Sequence, residues 1–139
     1  MSISAENNFD KLLIDLNNQE QGELLDIIGA YALSEEPDVL QETLAINRKL
    51  DIQSLRQSAQ KYLKKIEPVV KEVICGSDGL LNYLDQPTVK DILTVILPAL
   101  GFQVGGVIPT AVIAISIIIF RAGIREYCKD GYFVLGEVR

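Results

Sequence analysis

One stretch limits what this chain can become: Ile92 to Phe120 holds 29 residues without an Asp, Glu, Lys or Arg. A run of that kind is either the centre of a helical protein or a segment that meets lipid, because in either place its apolar surface leaves water. Pro98, Gly101, Gly105, Gly106 and Pro109 interrupt it, which argues against one straight helix. Crossing the roughly 30 Å hydrocarbon layer takes about 20 apolar residues. Val107–Phe120 provides about 21 Å at 1.5 Å per residue, and Ile92–Leu100 about 13 Å. Neither arm spans alone. The spacing instead predicts a helical hairpin, Val89–Leu100 and Pro109–Lys129, with both ends on the same side.

The flanking charges point the same way. Residues 1–91 carry nine Lys/Arg against 16 Asp/Glu, whereas the segment from Arg121 onward carries four against three. The polar start, Met1 to Glu6, has no basic or apolar leader, so the acidic helices are expected in the cytosol. A single span would then place Arg121, Arg125 and Lys129 outside, against the positive-inside tendency. A hairpin avoids this.

Two absences narrow the chemistry. The 139 residues contain no histidine, which removes Ser-His-Asp and Cys-His catalysis, the HExxH zinc site and the Glu-x-x-His di-iron signature. A non-enzymatic protein without a cofactor or metal is expected. The net charge of −6 makes nucleic acid a poor partner, since a phosphate-binding domain is normally basic. Cys75 and Cys128 read as free buried thiols, as is usual in a reducing cytosol. Tyr83 and Tyr127 have no neighbours in sequence that would make them catalytic.

The remainder reads as amphipathic helix, giving an all-α chain: a single bundle of about six helices with a hydrophobic C-terminal helical hairpin. Its regions are residues 1–89, acidic amphipathic helices; 90–131, the hairpin; and 132–139, a short tail. Phe9, Leu12, Leu13 and Leu16 mark a first helix. Asn17, with Glu20 three residues on, has capping-box spacing for a second helix that carries Leu24, Leu25, Ile27, Ile28 and Tyr31. Gly22 and Gly29 weaken that helix. Ser34 caps a third, with Pro37 in its first turn. Asp51 caps a fourth or lies within a longer helix. Pro68 should kink this helix or end it near Ile66. Gly76 suits a left-handed cap after Cys75, and Leu80–Leu84 a short helix. Gln86-Pro87-Thr88 opens the helix from Val89. Pro109 starts the last one, which runs to about Lys129 with Gly131 as its stop. Tyr132–Leu135 is strand-like in composition.

Candidate sites follow from these elements. Ile113, Ile115, Ile117, Ile118, Ile119 and Phe120 form the membrane or oligomer contact. Gly101, Gly105, Gly106, Thr110 and Ala114 place small residues about every fourth position, a pattern that lets helices approach closely, with the glycines also forming the turn. Arg121 and Arg125, one turn apart, mark the interface with water or headgroups. The acidic groups Glu20/Glu23/Asp26 and Glu35/Glu36/Asp38 read as helix starts and a solvated face rather than cation ligands. Lys61, Lys64 and Lys65 read as a solvent-facing basic patch.

Two functions fit. The first is a protein that joins membrane through the hairpin, an oligomeric pore-former or a defence- or toxin-like effector at the cytoplasmic face of the membrane. The second is a cytoplasmic adaptor or scaffold whose hairpin is a buried core or a protein interface. The expected partners are membrane lipid or a partner protein, with a homo-oligomer in either case. Exposure of the five isoleucines discriminates between the two.

Overall fold

Local chemistry sets the longest helix. Asp51 accepts from the Ser54 backbone N–H at 3.0 Å while the Ser54 hydroxyl accepts from the Asp51 N–H, a reciprocal cap on α4, Ile52–Cys75. Thr88 and Asp91 do the same for α5, Val89–Ala99. A computed structural model of the chain describes residues 5–46, 51–103, 107–129 and 135, with side chains from residue 10 onward except that of residue 46. The other described elements are α1 (Ala5–Asn17), α2 (Gln21–Glu35), α3 (Pro37–Ile46), a 3₁₀ turn (Leu80–Asn82), α6 (Thr110–Ala122) and α7 (Ile124–Tyr127). The fold is all-α, as the periodicity predicts, and no strand occurs among the described residues.

Helix α6 sits at the centre. All nine residues from Ala111 to Ile119 are buried, because α1, α2, α5 and α7 pack around it. Helix α4 lines up Ala59, Tyr62, Leu63, Ile66, Val70 and Ile74 as one buried stripe and packs on α2, α3 and α5. The α2–α4 contact depends on Gly29, where a Cβ would collide with the Leu55 carbonyl. The glycine that weakens α2 in isolation therefore lets two backbones meet. Where α3 crosses α4, Thr43 and Ser58 are buried with hydroxyls 3.1 Å apart. Each hydroxyl also has a carbonyl of its own helix within reach, Val39 for Thr43 and Ser54 for Ser58, both at 2.7 Å, so two protons are shared among three contacts. No buried side-chain polar atom among the described residues lacks a partner, so this polar seam carries no desolvation penalty for an unmade bond.

Several boundaries differ from the sequence expectation. Asn17 closes α1 rather than capping α2, whose N-cap is Glu20 without a side-chain bond. Ser34 lies in the last turn of α2 and donates to the Tyr31 carbonyl at 3.0 Å, while Pro37 is the first residue of α3. Helix α4 continues through Pro68 to Cys75. Pro68 and Lys64, whose carbonyl loses its partner, are both exposed, so water can take the lost bond. Gly76 is extended (φ −67°), not left-handed. Leu80–Asn82 forms only a 3₁₀ turn. The last long helix stops at Gly123 (φ 91°), well before Lys129. Gly131 and Tyr132–Val134 lie outside the described residues.

The free-thiol expectation is also overturned. Cys75 at the end of α4 and Cys128 after α7 form a disulfide, with Cα atoms 5.4 Å apart across 53 residues of sequence. Sequence spacing cannot reveal that pairing, since it needs the segment after α6 to return to α4, where Tyr127 also meets Glu67. Closing a loop of this length restricts the unfolded chain and contributes about 4 kcal/mol.

Two measurements test this packing. Gly29→Ala should lower unfolding stability by about 3 kcal/mol in urea titration. Gly22→Ala, whose new methyl meets only the movable Arg56 guanidinium, should stay within about 1 kcal/mol of the parent. Reduction with dithiothreitol, or Cys75→Ser with Cys128→Ser, should cost about 2–4 kcal/mol by the same assay. Thiol alkylation without reductant should leave both cysteines unmodified.

Candidate functional site

The five isoleucines proposed as a contact surface have no exposure at all: Ile113, Ile115, Ile117, Ile118 and Ile119 are each 0% accessible within one chain. Phe120 stands apart, 44% exposed at the end of α6. The small-residue pattern does not form a strip on one helix. Gly101 lies beyond α5 with φ 93°, Thr110 opens α6, and Ala114 is buried inside it. Gly105 and Gly106 lie outside the described residues. Arg121 stays exposed and reaches across the surface, its Nη2 donating to the carbonyls of Asn17 at 2.9 Å and Gln19 at 2.5 Å. It ties the α1–α2 connection to the end of α6. Arg125 lies beyond Gly123 on α7 and is exposed, so the two arginines do not share a helix.

Of the acidic candidates, Asp26, Glu36 and Asp38 pair across helices, while Glu20, Glu23 and Glu35 stay exposed without an ion pair among the described residues. Asp26 meets Arg56 at 3.3 Å, and Lys65 meets Glu36 at 2.8 Å and Asp38 at 3.1 Å. Lys65 holds the Asp38 carboxyl below its usual range, and Glu36 and then Asp38 hold the Lys65 ammonium above its own. Lys61 reaches Glu42 at 3.5 Å. No group of three His, Cys, Asp or Glu among the described residues could hold a metal ion, and no described helix is long and apolar enough to cross a membrane.

Tyr127 has partners that sequence distance hides. Its hydroxyl donates to Glu67 Oε2 at 3.0 Å, Glu67 Oε1 accepts from the Leu135 N–H at 3.1 Å, and Lys71 Nζ lies 5.1 Å from the ring centroid. Glu67 thereby fastens α7 and Leu135 to α4, beside the disulfide. Burial, then the Glu67 charge, pushes the Tyr127 phenol up. Tyr62 is pushed up by burial and then by Tyr31, whose ring stands edge-on at 5.7 Å. Both phenols hold their protons far above neutral pH, which fits packing roles and not that of a base.

Part of the exposed apolar surface lies around the 3₁₀ turn, while Ile14, Leu44, Ile52, Val69 and Val107 are exposed elsewhere. Asn82 Nδ2 reaches the carbonyls of Gly76 at 2.7 Å, Ser77 at 3.0 Å and Gly79 at 3.3 Å. Gly79 has no room for a side chain against the Ile74 carbonyl. This bracing holds Tyr83 out at 70% exposure, followed by Leu84 at 39%. On one side of the turn a groove of about 410 Å³ runs over Val73, Leu80, Val95 and Pro98, with Glu72, Asp78 and Tyr83 at its edge. On the other side a 220 Å³ groove passes Leu81, Pro87, Phe120 and Ile124, edged by Asp85, Arg125 and Glu126. None of these five charged groups has a salt-bridge partner among the described residues. A third, larger groove of about 630 Å³ runs over Leu33, Leu40, Ile52 and Leu55. The face around Tyr83 can bind apolar side chains and cations, but it carries no nucleophile–base pair. Sequence reasoning assigned Leu80–Leu84 to a short helix and missed this face; a Tyr-Leu pair after Ser-Asp-Gly was the available signal.

Comparison with protein-family models, with functionally characterised proteins and with solved structures yields no match for this chain.

The buried phenols set a pH limit. Their folded-state pKa values exceed the unfolded value of about 10, so above that pH the unfolded chain releases protons that the folded chain keeps. Stability is complete below about pH 10 and falls as pH rises further. Thermal midpoints should be flat from about pH 7 to 9 and decline above about pH 10. Tyr62→Phe with Tyr127→Phe should flatten the decline.

Proposed function

We propose that this chain is a non-enzymatic helical module that binds a partner protein through its surface, with the apolar stretch serving as its core. The observation that carries this reading is the burial of Ala111–Ile119 within one chain. Burying a large aliphatic side chain contributes about 1.5–3 kcal/mol, so the five isoleucines contribute roughly 8–15 kcal/mol. That equals the whole net stability of an ordinary domain, about 5–15 kcal/mol. Moving α6 into lipid would keep its isoleucines out of water but would strip the cover from the apolar stripes of α1, α2 and α5 that pack on it, and so dismantle the fold rather than expose a spare element. Two further ties resist such a movement: the Cys75–Cys128 bond and the Arg121 contacts to Asn17 and Gln19. The disulfide also suits a compartment oxidising enough to keep it closed, in place of the reducing cytosol expected from the sequence.

The membrane-associated reading keeps one supporting observation. Helix α6 is apolar on every side and is wrapped by amphipathic helices, which is the architecture of soluble pore-formers. In that reading its burial is the dormant state.

Vesicle experiments separate the two. Oxidised protein added to dye-loaded liposomes of mixed neutral and anionic lipid should release no dye and should remain in the supernatant after ultracentrifugation, at neutral pH and at about pH 5. Release, or sedimentation with the vesicles, would overturn the module reading. Release that appears only after reduction would identify the disulfide as the restraint on α6.

A further inference from the structure

We infer that the face built around the 3₁₀ turn is a docking site for a cationic amphipathic segment of a partner protein, one that presents large apolar side chains beside Lys or Arg. This rests on the reading of the chain as a protein-binding module and names the chemistry of its partner.

The argument begins with shape. Two grooves, of 410 Å³ and 220 Å³, flank one projecting turn, and Tyr83 stands between solvent and the larger of them, 70% exposed. Evolution of a soluble surface does not favour a bared aromatic ring beside an apolar trough, because contiguous apolar surface costs solubility unless a partner covers it. The trough is rigid for a loop. Asn82 braces its backbone through three carbonyls, and α4 and α5 form its walls. A partner would pay little to order it.

Charge then selects the occupant. Four carboxylates, Glu72, Asp78, Asp85 and Glu126, edge the two grooves against the single cation Arg125. Elsewhere on the molecule some acidic side chains are answered by cations of this chain, Asp26 by Arg56, Glu42 by Lys61, Glu36 and Asp38 by Lys65, Asp10 by Lys90, while Asp15, Glu20, Glu23 and Glu35 stand without an ion pair among the described residues but border neither of these two apolar grooves. Around the 3₁₀ turn the four carboxylates have no such partner among the described residues. An apolar side chain in the trough would bring a neighbouring Lys or Arg within reach of Asp78 and Glu72, and a guanidinium could also stack on the Tyr83 ring. An acidic or anionic-lipid partner would meet repulsion at the same edge, so the complementary ligand is basic and apolar together. Two copies of this face would likewise repel each other.

The test uses the full-length oxidised protein, labelled with ¹⁵N, and a synthetic amphipathic helix of Leu and Lys as the probe. Shifts in the amide spectrum should concentrate at Leu80–Asp85, Val95 and Phe120–Glu126. Tyr83→Ala and the pair Glu72→Gln with Asp78→Asn alter exposed side chains, so far-UV circular dichroism should be unchanged. Each should weaken the probe at least tenfold. Changing the paired and remote Glu42→Gln should leave affinity within twofold. A Lys peptide of equal charge without Leu should bind at least tenfold more weakly than the probe. Equal binding of the two peptides, shifts centred on the Leu33–Leu55 groove, or unaltered affinity in the Tyr83 and Glu72/Asp78 variants would each overturn the assignment. Such failures leave the module reading standing if vesicles stay intact; vesicle lysis defeats that reading itself.

Discussion

The burial of α6 is the interaction on which the other features of this molecule depend. A helix whose residues from Ala111 to Ile119 are all enclosed has no solvent face to satisfy, so its neighbours must surround it. Helices α1, α2, α5 and α7 do so, each bringing one apolar stripe and keeping its charged residues outward. The acidic N-terminal helices are therefore the cover of the core. Their charge excess ends up on the surface because their apolar residues are committed to α6 and to α4.

Close approach gives the cover its strength. At Gly29 the α2 and α4 backbones meet without an intervening side chain, and the buried Thr43–Ser58 pair joins α3 to α4 where a hydrophobic contact would otherwise sit. At the other end of α4, the Cys75–Cys128 bond and the Glu67 carboxylate hold α7 and Leu135 in place. Arg121, in the last turn of α6, binds the Asn17 and Gln19 carbonyls at the α1–α2 connection. The proposed docking surface is the ridge around Tyr83. There apolar side chains and unanswered carboxylates stand together on a braced turn.

Legibility in the sequence followed distance along the chain. The caps at Asp51 and Thr88 join residues three apart, and Pro37 and Pro109 mark helix starts by their own fixed geometry; all are visible locally. Asn17 misled because its capping-box spacing is satisfied on paper, whereas α1 extends through it. Pro68 misled because its cost depends on exposure, which a helical period alone does not give. Gly123 was legible and passed over: its left-handed turn ends α6 six residues before Lys129, and that break separates Arg121 from Arg125. For the candidate site, the grooves draw on α4, α5, α6 and α7 at once, so no local pattern could have outlined them.

Residue types and their spacing alone establish that this chain is helical, that it lacks imidazole chemistry, and that the isoleucine-rich part of residues 92–120 must be shielded from water. Those conclusions depend on residue type and local periodicity, which survive without any knowledge of neighbours. What does the shielding was decided only in three dimensions. An apolar helix wrapped by its own chain and one bathed in lipid have the same composition and the same period, and only the packing of the other helices distinguishes them. The pairing of Cys75 with Cys128, the reach of Arg121 to the α1–α2 connection and the outward stance of Tyr83 were decided in the same way, because each is set by residues from 50 to about 100 positions away meeting in space or by a turn whose bracing depends on its backbone path.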